Sequence, residues 1–111
     1  MAFQKSSDFP TKDVQLSEYA KAIAHPARIA ILRTLAERRE VIVGDLVLDL
    51  PIAQATVSQH LKALKEIGLI KGRIDGPRSL YTINWKNYER FKSLFHHLEK
   101  YLDKFEAKAH R

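Results

Sequence analysis

Residues 55–64, ATVSQHLKAL, carry side chains suited to hydrogen bonding with a large polar partner. Val57, Leu61 and Leu64 recur at i, i+4 and i+7, which predicts a helix with one apolar stripe. The opposite face has small or hydrogen-bonding side chains and no acidic residue; its members are Ala55, Ser58, Gln59 and Lys62. Hydroxyl, amide and ammonium groups can contact base edges and phosphates. This face is therefore a candidate DNA-binding surface.

The sequence lacks the residue patterns from which common active sites are built. It contains no cysteine, which excludes disulfides, thiolate metal sites and cysteine nucleophiles. Its four glycines leave little room for a phosphate-cradling loop, and the residue order predicts neither a Ser/His/Asp triad nor paired carboxylates in a cleft. We therefore predict that the protein is not an enzyme and has no cofactor.

Two adjacent histidines near the carboxyl end are candidate metal ligands. His96 and His97 point about 100° apart on a helix, so the pair cannot chelate one ion. His96, Glu99 and Asp103 share one helix face at i, i+3 and i+7 and are a weak candidate metal site. The alternative is a solvated face on which lysines neutralise the carboxylates; these are Lys92, Lys100 and Lys104. We favour this alternative and predict no bound metal.

The charge distribution favours a polyanionic partner. The formal charge is +6; residues 1–51 are neutral, whereas residues 52–84 and 85–111 each carry a surplus of three basic residues. Such a surplus suits nucleic acid, although an anionic membrane or solubility alone would also use it. The chain begins without an apolar run of signal length, and no stretch approaches the roughly 18 apolar residues that span a bilayer. We expect a cytoplasmic protein with no membrane partner.

Apolar periodicity predicts a mainly α chain with one β-hairpin. Residues 1–12 are expected to form a flexible tail, and residues 13–111 a single domain. A short extended piece is predicted at 41–43. The predicted helices cover 14–24, 26–39, 45–50, 53–67 and about 85–109.

Proline and glycine mark the ends of several of these elements. Pro26 is expected to open the second helix, whose core stripe is Ile29, Leu32 and Leu35. Gly68 follows helix 53–67, where a left-handed cap belongs. Beyond it, LIKGRI and SLYTI flank the turn-rich DGPR, which predicts a hairpin with a four-residue link.

The last predicted helix has an apolar seam that is too long for one small domain to cover. The apolar residues that alternate at spacings of 3 and 4 are Tyr88, Phe91, Phe95, Leu98, Leu102, Phe105 and Ala109. Leu94 and Tyr101 widen this seam. At 1.5 Å per residue, about 25 residues make a helix of roughly 37 Å. The seam could pack only on its own domain, but its length and width favour pairing with a second copy. We predict a homodimer.

The order of elements predicts a winged helix-turn-helix fold. A short helix, a turn containing Pro51, a helix with a polar outer face and a basic hairpin follow one another. In that arrangement the second helix enters the major groove, and the hairpin, or wing, lies along the backbone or minor groove. The competing interpretation is a solvated amphipathic helix beside a surface hairpin. The candidate DNA-binding residues are Gln54, Ala55, Thr56, Ser58, Gln59, His60, Lys62, Arg73 and Arg78.

These candidates have different expected roles. The small residues permit close approach of the helix, and the glutamines and Lys62 have the reach to contact bases or phosphates. Arg73 and Arg78 bracket the wing turn and are expected to meet phosphate or the minor groove. His60 lies toward the flank of the buried stripe, so a phosphate contact and simple packing are both open for it.

At these residues the sequence resembles the ArsR family of bacterial transcriptional regulators, over about residues 17–84. AIAHPARIAIL is similar to the family's helix opening, QATVSQHLKALKEIGLI to its recognition helix and exit, and GRIDGPRSLYTI to its wing. The resemblance implies a homodimer that binds double-stranded operator DNA, most often as a repressor, with an interface built by the first and last helices. On this basis Leu16 and Tyr19 join the last-helix seam as predicted dimer-interface residues.

The sensory sites of metal-responsive family members are missing from this chain. Such members carry two cysteines separated by one residue in the first helix of the motif, where this chain has Ile42 and Gly44. A second family site begins with Asp-x-His on the last helix, where this chain reads Trp85-Lys86-Asn87. We therefore predict a repressor that is not controlled by a thiol-ligated metal. Its effector is unknown: the repressor could respond to an organic molecule, to a partner protein or to no effector.

The alternative function is a dimeric adaptor or antirepressor that keeps the fold but binds protein through the motif. Leu48 favours it, because this residue is predicted to be exposed opposite Leu46 and Leu50 on the short helix. Strong salt dependence of duplex binding distinguishes the two functions, because DNA binding displaces counterions.

Overall fold

The computed structural model describes residues 8–110. Over this range the chain forms five α-helices and three β-strands, which confirms the predicted mainly helical fold with a hairpin wing. None of the helices in this range has the length and apolar character needed to cross a membrane. The elements are α1 (Thr11–Ile23), α2 (Pro26–Arg38), β1 (Val41–Ile42), α3 (Val43–Asp49), α4 (Gln54–Glu66), β2 (Ile70–Asp75), β3 (Arg78–Ile83) and α5 (Trp85–Ala109).

The first helix begins earlier than predicted. α1 starts at Thr11, and the carbonyl of Pro10 accepts the N–H groups of Asp13 and Val14 at 3.0 and 3.1 Å. Asp13 also places a carboxylate in the positively polarised first turn. Residues 11 and 12, which sequence periodicity assigns to the tail, are therefore helical. The first seven residues of that predicted tail lie outside the described residues.

α2 begins as predicted but buries a different stripe. Pro26 occupies its first turn, and Nδ1 of His25 caps it by accepting a first-turn N–H at 3.1 Å. The prediction of Ile29 as a core residue is wrong, since its side chain is 46% exposed, whereas Ile31 and Leu35 are fully buried. The reason is that α4 and β3 pack on the Ile31 side of the helix, while Ile29 borders an open apolar groove.

The predicted hairpin belongs to a three-stranded antiparallel sheet in the order β1-β3-β2. β2 and β3 pair as far as Asp75 opposite Arg78, so the turn contains only Gly76 and Pro77 instead of four residues. Gly76 has a φ of +60°, as the first position of a two-residue turn requires. β1 pairs with the other side of β3 and so connects the base of the wing to the helix-turn-helix.

α4 lies at the centre of the core through its predicted stripe. Val57, Leu61 and Leu64 are buried where α4 packs against α2 and α3. Gly68 has a φ of +83° and ends the helix in the predicted left-handed conformation. The N–H of Leu69 then returns to the carbonyl of Leu64 at 3.0 Å, so the last turn is closed by a hydrogen bond.

α5 spans the predicted residues and leaves most of its seam exposed. The side chain of Asn84 caps it by accepting the N–H of Asn87 at 3.3 Å. Of its 25 residues, all of which the structure describes, only Leu94 is buried. Every residue from 95 to 109 is exposed, although α1 packs along α5. The helix therefore extends its apolar seam beyond the core of its own protomer.

One predicted dimer-interface residue belongs to the protomer core instead. Tyr19 of α1 is buried and stacks on Phe91 of α5, with 5.3 Å between the ring centroids. Phe91 therefore covers the ring within the protomer, which leaves little of the Tyr19 side chain for a second copy. Leu16, one turn earlier, is half-buried. The exposed members of the predicted interface are Tyr88, Phe95, Leu98, Leu102 and Phe105.

Candidate nucleic-acid interface

The outer face of α4 is open to solvent along its first two turns. No acidic residue occurs between positions 54 and 62. The exposed side chains on this face are those of Gln54, Ala55, Ser58, Gln59 and Lys62. Thr56 is half-buried and lies at the edge of this face. Because the opposite stripe of α4 is fixed in the core, the polar face has one defined direction. This arrangement suits insertion into a groove of the duplex.

The amino end of α4 offers backbone donors as well. Ala53 is the N-cap residue of α4, but its methyl group cannot accept a hydrogen bond and so provides no side-chain cap. Its carbonyl accepts the N–H groups of Thr56 and Val57, each at 3.0 Å. The earlier N–H groups of the helix have no such acceptor in the described chain. Phosphate oxygens are favourable partners for N–H groups at this end of a helix.

His60 is not part of the exposed face. Its side chain is only 7% exposed because position 60 follows Val57 by three residues and so lies on the buried stripe. The centroid of its ring lies 4.3 Å from the ring centroid of His25. Nδ1 of His60 accepts a hydrogen bond from Nε of Arg28 at 3.1 Å. Of the two roles that the sequence left open for His60, its burial in the protomer therefore favours packing over a phosphate contact.

Arg28 fixes the position of α4 relative to two other helices. Its Nη1 donates to the carbonyl of Ala22 in α1 at 3.1 Å, while its Nε donates to His60 of α4. Since Nδ1 accepts, the neutral ring of His60 carries its hydrogen on Nε2, which has no hydrogen-bond partner within residues 8–110. Burial lowers the pKa of His60, and the nearby His25 and Arg28 lower this pKa further.

Both arginines of the wing are paired with carboxylates. Arg73 binds both carboxylate oxygens of Glu40, with Nε at 3.2 Å and Nη2 at 3.0 Å. Arg78 donates from Nη2 to Asp75 at 2.7 Å across the turn. All four side chains remain at least partly exposed. A phosphate that approaches either guanidinium therefore has to compete with a carboxylate of the same chain.

Polar contacts also connect α4 to α5. Nδ2 of Asn87 donates to the carbonyl of Gly68 at 2.9 Å, and the N–H of Asn84 donates to the carbonyl of Leu69 at 2.9 Å. The end of α4 is thus hydrogen-bonded to the beginning of α5. Sequence reasoning missed Arg28, Glu40 and Asn87, because each has a hydrogen-bond partner that lies 19 or more residues away in the chain. Only Asn87 had a local signal in the sequence, because it lies three residues after Asn84, which caps α5.

The weak candidate metal site is not assembled. His96 and Glu99 form a pair at 3.1 Å between Nδ1 and Oε1, and Asp103 does not join them. Within the described part of the chain, no three His, Cys, Asp or Glu side chains converge on one point. The predicted neutralisation of Glu99 and Asp103 by lysines is not seen among the described residues either: Lys92 pairs with Glu89 at 3.1 Å, and Nζ of Lys104 lies 5.9 Å from the ring centroid of Tyr101.

Comparisons with known proteins agree with this geometry. A family model described as bacterial regulatory protein, arsR family, matches residues 25–71, from the cap of α2 into β2. An HTH-type transcriptional regulator of Methanocaldococcus jannaschii is 37% identical over 67 residues, which cover 60% of this chain and 75% of that protein. The HTH-type transcriptional repressor SmtB of Mycobacterium tuberculosis is 42% identical over 66 residues, or 60% of this chain and 48% of that protein.

A solved structure extends the similarity to about four fifths of the chain. HlyU from Vibrio cholerae superposes with a TM-score of 0.67 at 29% identity, over 81% of this chain and 97% of that chain. The fold of this chain therefore also occurs in HlyU. The chain belongs to the ArsR family of winged helix-turn-helix transcriptional regulators.

Proposed function

We propose that this protein is a sequence-specific repressor that binds double-stranded operator DNA as a homodimer. The observation that carries the proposal is the exposed, acid-free face of α4, held in one direction by a fully buried stripe. In the proposed complex this face reads base edges in the major groove. The wing follows the backbone, where Arg78 meets a phosphate and Arg73 lies close to one. The recognition residues are Gln54, Ala55, Thr56, Ser58, Gln59 and Lys62.

The proposal of a homodimer is supported by the seam of α5. Phe95, Leu98, Leu102 and Phe105 are exposed along one stripe that the protomer leaves uncovered. An apolar groove of about 540 Å³ lies near the beginning of the same helix, between Ile29 and neighbouring side chains that include Trp85 and Tyr88. A two-fold axis would bring two equal seams together. We propose one domain that begins with α1 at Thr11, two residues before the predicted start at 13, and whose dimerisation helix lies at about 85–109.

Repression without a thiol-ligated metal is supported by the residues at the family's sensory positions. Ile42 and Gly44 have no metal-binding side chains, and Asn87 is already engaged with Gly68. SmtB, to which this chain is 42% identical over 66 residues, is a transcriptional repressor. Control by an organic effector or a partner protein is consistent with these residues, as is constitutive binding.

Selection from a random duplex pool tests this function directly. The protein is incubated with the pool at about 0.15 M salt, where non-specific phosphate binding is already weakened. We expect enrichment of a two-fold symmetric site, because a dimer presents two copies of α4. A folded, dimeric protein that enriches no sequence would contradict the proposal.

The adaptor function is the second candidate, and two exposed apolar residues favour it. Leu48 on α3 is 85% exposed and Ile74 on the wing is 75% exposed. Both residues lie on elements of the DNA-binding motif, where a protein partner would bury them. Measurement of duplex affinity at several salt concentrations separates the two functions. A steep fall of the logarithm of affinity with the logarithm of salt supports DNA binding, and a protein that binds no duplex supports the adaptor.

A further inference from the structure

We propose that Glu40 is a positioning residue that holds Arg73 away from DNA phosphates and so limits the affinity of the wing for any duplex. The inference rests on the proposed DNA-binding function. Glu40 lies in the link between α2 and β1, whereas Arg73 lies on β2 of the wing. Their contact therefore joins the body of the domain to the wing.

The geometry of the pair explains why Glu40 competes with DNA. Both carboxylate oxygens are used, and they bind Nε and Nη2, which form one edge of the guanidinium group. A phosphate that binds arginine in a bidentate manner also accepts hydrogen bonds from two parallel N–H groups on one edge of the guanidinium group. Glu40 thus occupies an edge of Arg73 that would otherwise be free for the backbone of the duplex.

The surroundings of the pair fit a phosphate. The two side chains border a hollow of about 310 Å³ on the sheet, which is also lined by Lys71 and Thr82. Lys71 and Arg73 are two residues apart on β2, so they project from the same side of the strand. An ammonium and a guanidinium on one side would attract a phosphate. Glu40 adds a negative charge at the same place and reduces this attraction.

Asp75 and Arg78 provide a useful contrast. Their contact uses one oxygen and spans only three residues across the wing turn, and it connects no second element. Removal of Asp75 would leave the wing attached to the domain as before. Glu40 differs because it both occupies an edge of the guanidinium group and ties the wing to the segment after α2.

The test is a comparison of Glu40→Gln with Glu37→Gln. Both substitutions remove one negative charge, but Glu37 lies in α2 and has no ion-pair partner among the described residues. Affinity for a generic 20-base-pair duplex is measured at several salt concentrations. We expect Glu40→Gln to raise the affinity about two- to fivefold, the range that a surface ion pair contributes. The slope against salt should become steeper by about 0.9, as for one additional phosphate contact.

A double-mutant cycle shows whether the effect passes through Arg73. In an Arg73→Gln background, we expect Glu40→Gln to change affinity no more than Glu37→Gln does. The inference is overturned if Glu40→Gln matches Glu37→Gln in the wild-type background, if it lowers affinity, or if its gain persists without Arg73. If the wild-type protein, folded and dimeric, binds no duplex even at low salt, the proposed function fails and this inference fails with it.

Discussion

Gln59 and Arg78 lie on surfaces with different expected tasks in DNA binding. Gln59 is exposed on the face of α4 that we assign to base edges, and Arg78 is exposed beside the wing turn. We expect Gln59→Ala to cost about 1–3 kcal/mol of discrimination at one base pair, because an amide reads bases through two hydrogen bonds. We expect Arg78→Ala to weaken all duplexes alike and to make the salt slope shallower by about 0.9.

Titrations of the selected operator and of its single-base variants, at several salt concentrations, measure both effects. Lys108→Ala in the last turn of α5 is the matched control for Arg78→Ala, since it removes the same charge far along the chain from the wing. The reverse pattern, with altered base preference in Arg78→Ala and uniform weakening in Gln59→Ala, would overturn our assignment of the two surfaces.

His60 makes the stability of the protein dependent on pH. Burial and two nearby basic residues lower the pKa of His60 in the folded state below the ordinary value of 6.5. The unfolded chain therefore takes up a proton that the folded chain resists. The resulting stabilisation is complete above about pH 6.5 and is lost as the pH falls through the folded pKa. We expect the free energy of unfolding to decrease between pH 7 and pH 5.

Urea unfolding at several pH values checks this expectation, with His60→Gln as the comparison. An amide oxygen can still accept from Arg28 but does not titrate, so the dependence on pH should become weaker in the variant. Should the variant not fold, an NMR titration of the His60 ring in the wild-type protein reports its pKa directly. A folded-state pKa at or above 6.5 would contradict the prediction.

The connection between α4 and α5 depends on a glycine. Gly68 has a φ of +83°, and a Cβ added there would lie 2.5 Å from Nδ2 of Asn87. We expect Gly68→Ala to destabilise the protein by at least about 1 kcal/mol, since the left-handed conformation alone costs this much in alanine. The clash would also displace the amide that donates to the Gly68 carbonyl. Thermal or urea unfolding measures the loss.

Gly44→Ala is the control for this substitution. Gly44 lies in α3, and a Cβ there would meet no atom within 4 Å. Alanine is favoured over glycine in helices by up to about 1 kcal/mol, so we expect Gly44→Ala to be neutral or stabilising. Equal losses in both variants would show that the left-handed cap and the Asn87 contact contribute little.

The elements that sequence could predict are those defined by local spacing. The buried stripe of α4, the proline start of α2 and the glycine cap at Gly68 each depend on residues within one or two turns. The core stripe of α2 could not be predicted in this way. Ile29 and Ile31 are equally apolar, and only the packing of α4 and β3 decides which of them is buried. The pairing of β1 with β3 is likewise a long-range event.

The same distinction applies to the candidate interface. Periodicity identified the exposed face of α4, because its stripe and its outer face alternate along one helix. It could not place His60, since the residues that enclose this ring come from the cap and first turn of α2. It also could not show that the wing arginines are paired. Glu40 precedes Arg73 by 33 residues, and only the antiparallel sheet brings the two together.

For the whole molecule, we propose that α5 determines how many copies of α4 act together. Its exposed seam continues for more than three turns after Leu94, the last buried position. Apolar side chains this densely arranged are unfavourable in water, and burial against a second copy removes them from solvent at about 25 cal/mol per Å². Asn84 and Asn87 join the beginning of this helix to the end of α4. A dimer formed through α5 therefore sets the spacing between two recognition helices.

We accordingly expect Phe95→Asp or Leu98→Asp to produce a folded monomer that no longer binds an operator. A carboxylate in the seam would be buried without a partner in the dimer, which costs several kcal/mol, whereas it stays hydrated in the monomer. Both residues are exposed in the protomer, so its core is unchanged. Lys100→Asp, two residues after Leu98 and on the opposite side of the helix, is the control and should remain dimeric. Sedimentation equilibrium measures the mass, and duplex titration measures the affinity. If both seam variants stay dimeric, α5 is not the interface; if they are monomeric yet bind the operator as tightly as the wild type, a single α4 suffices for recognition.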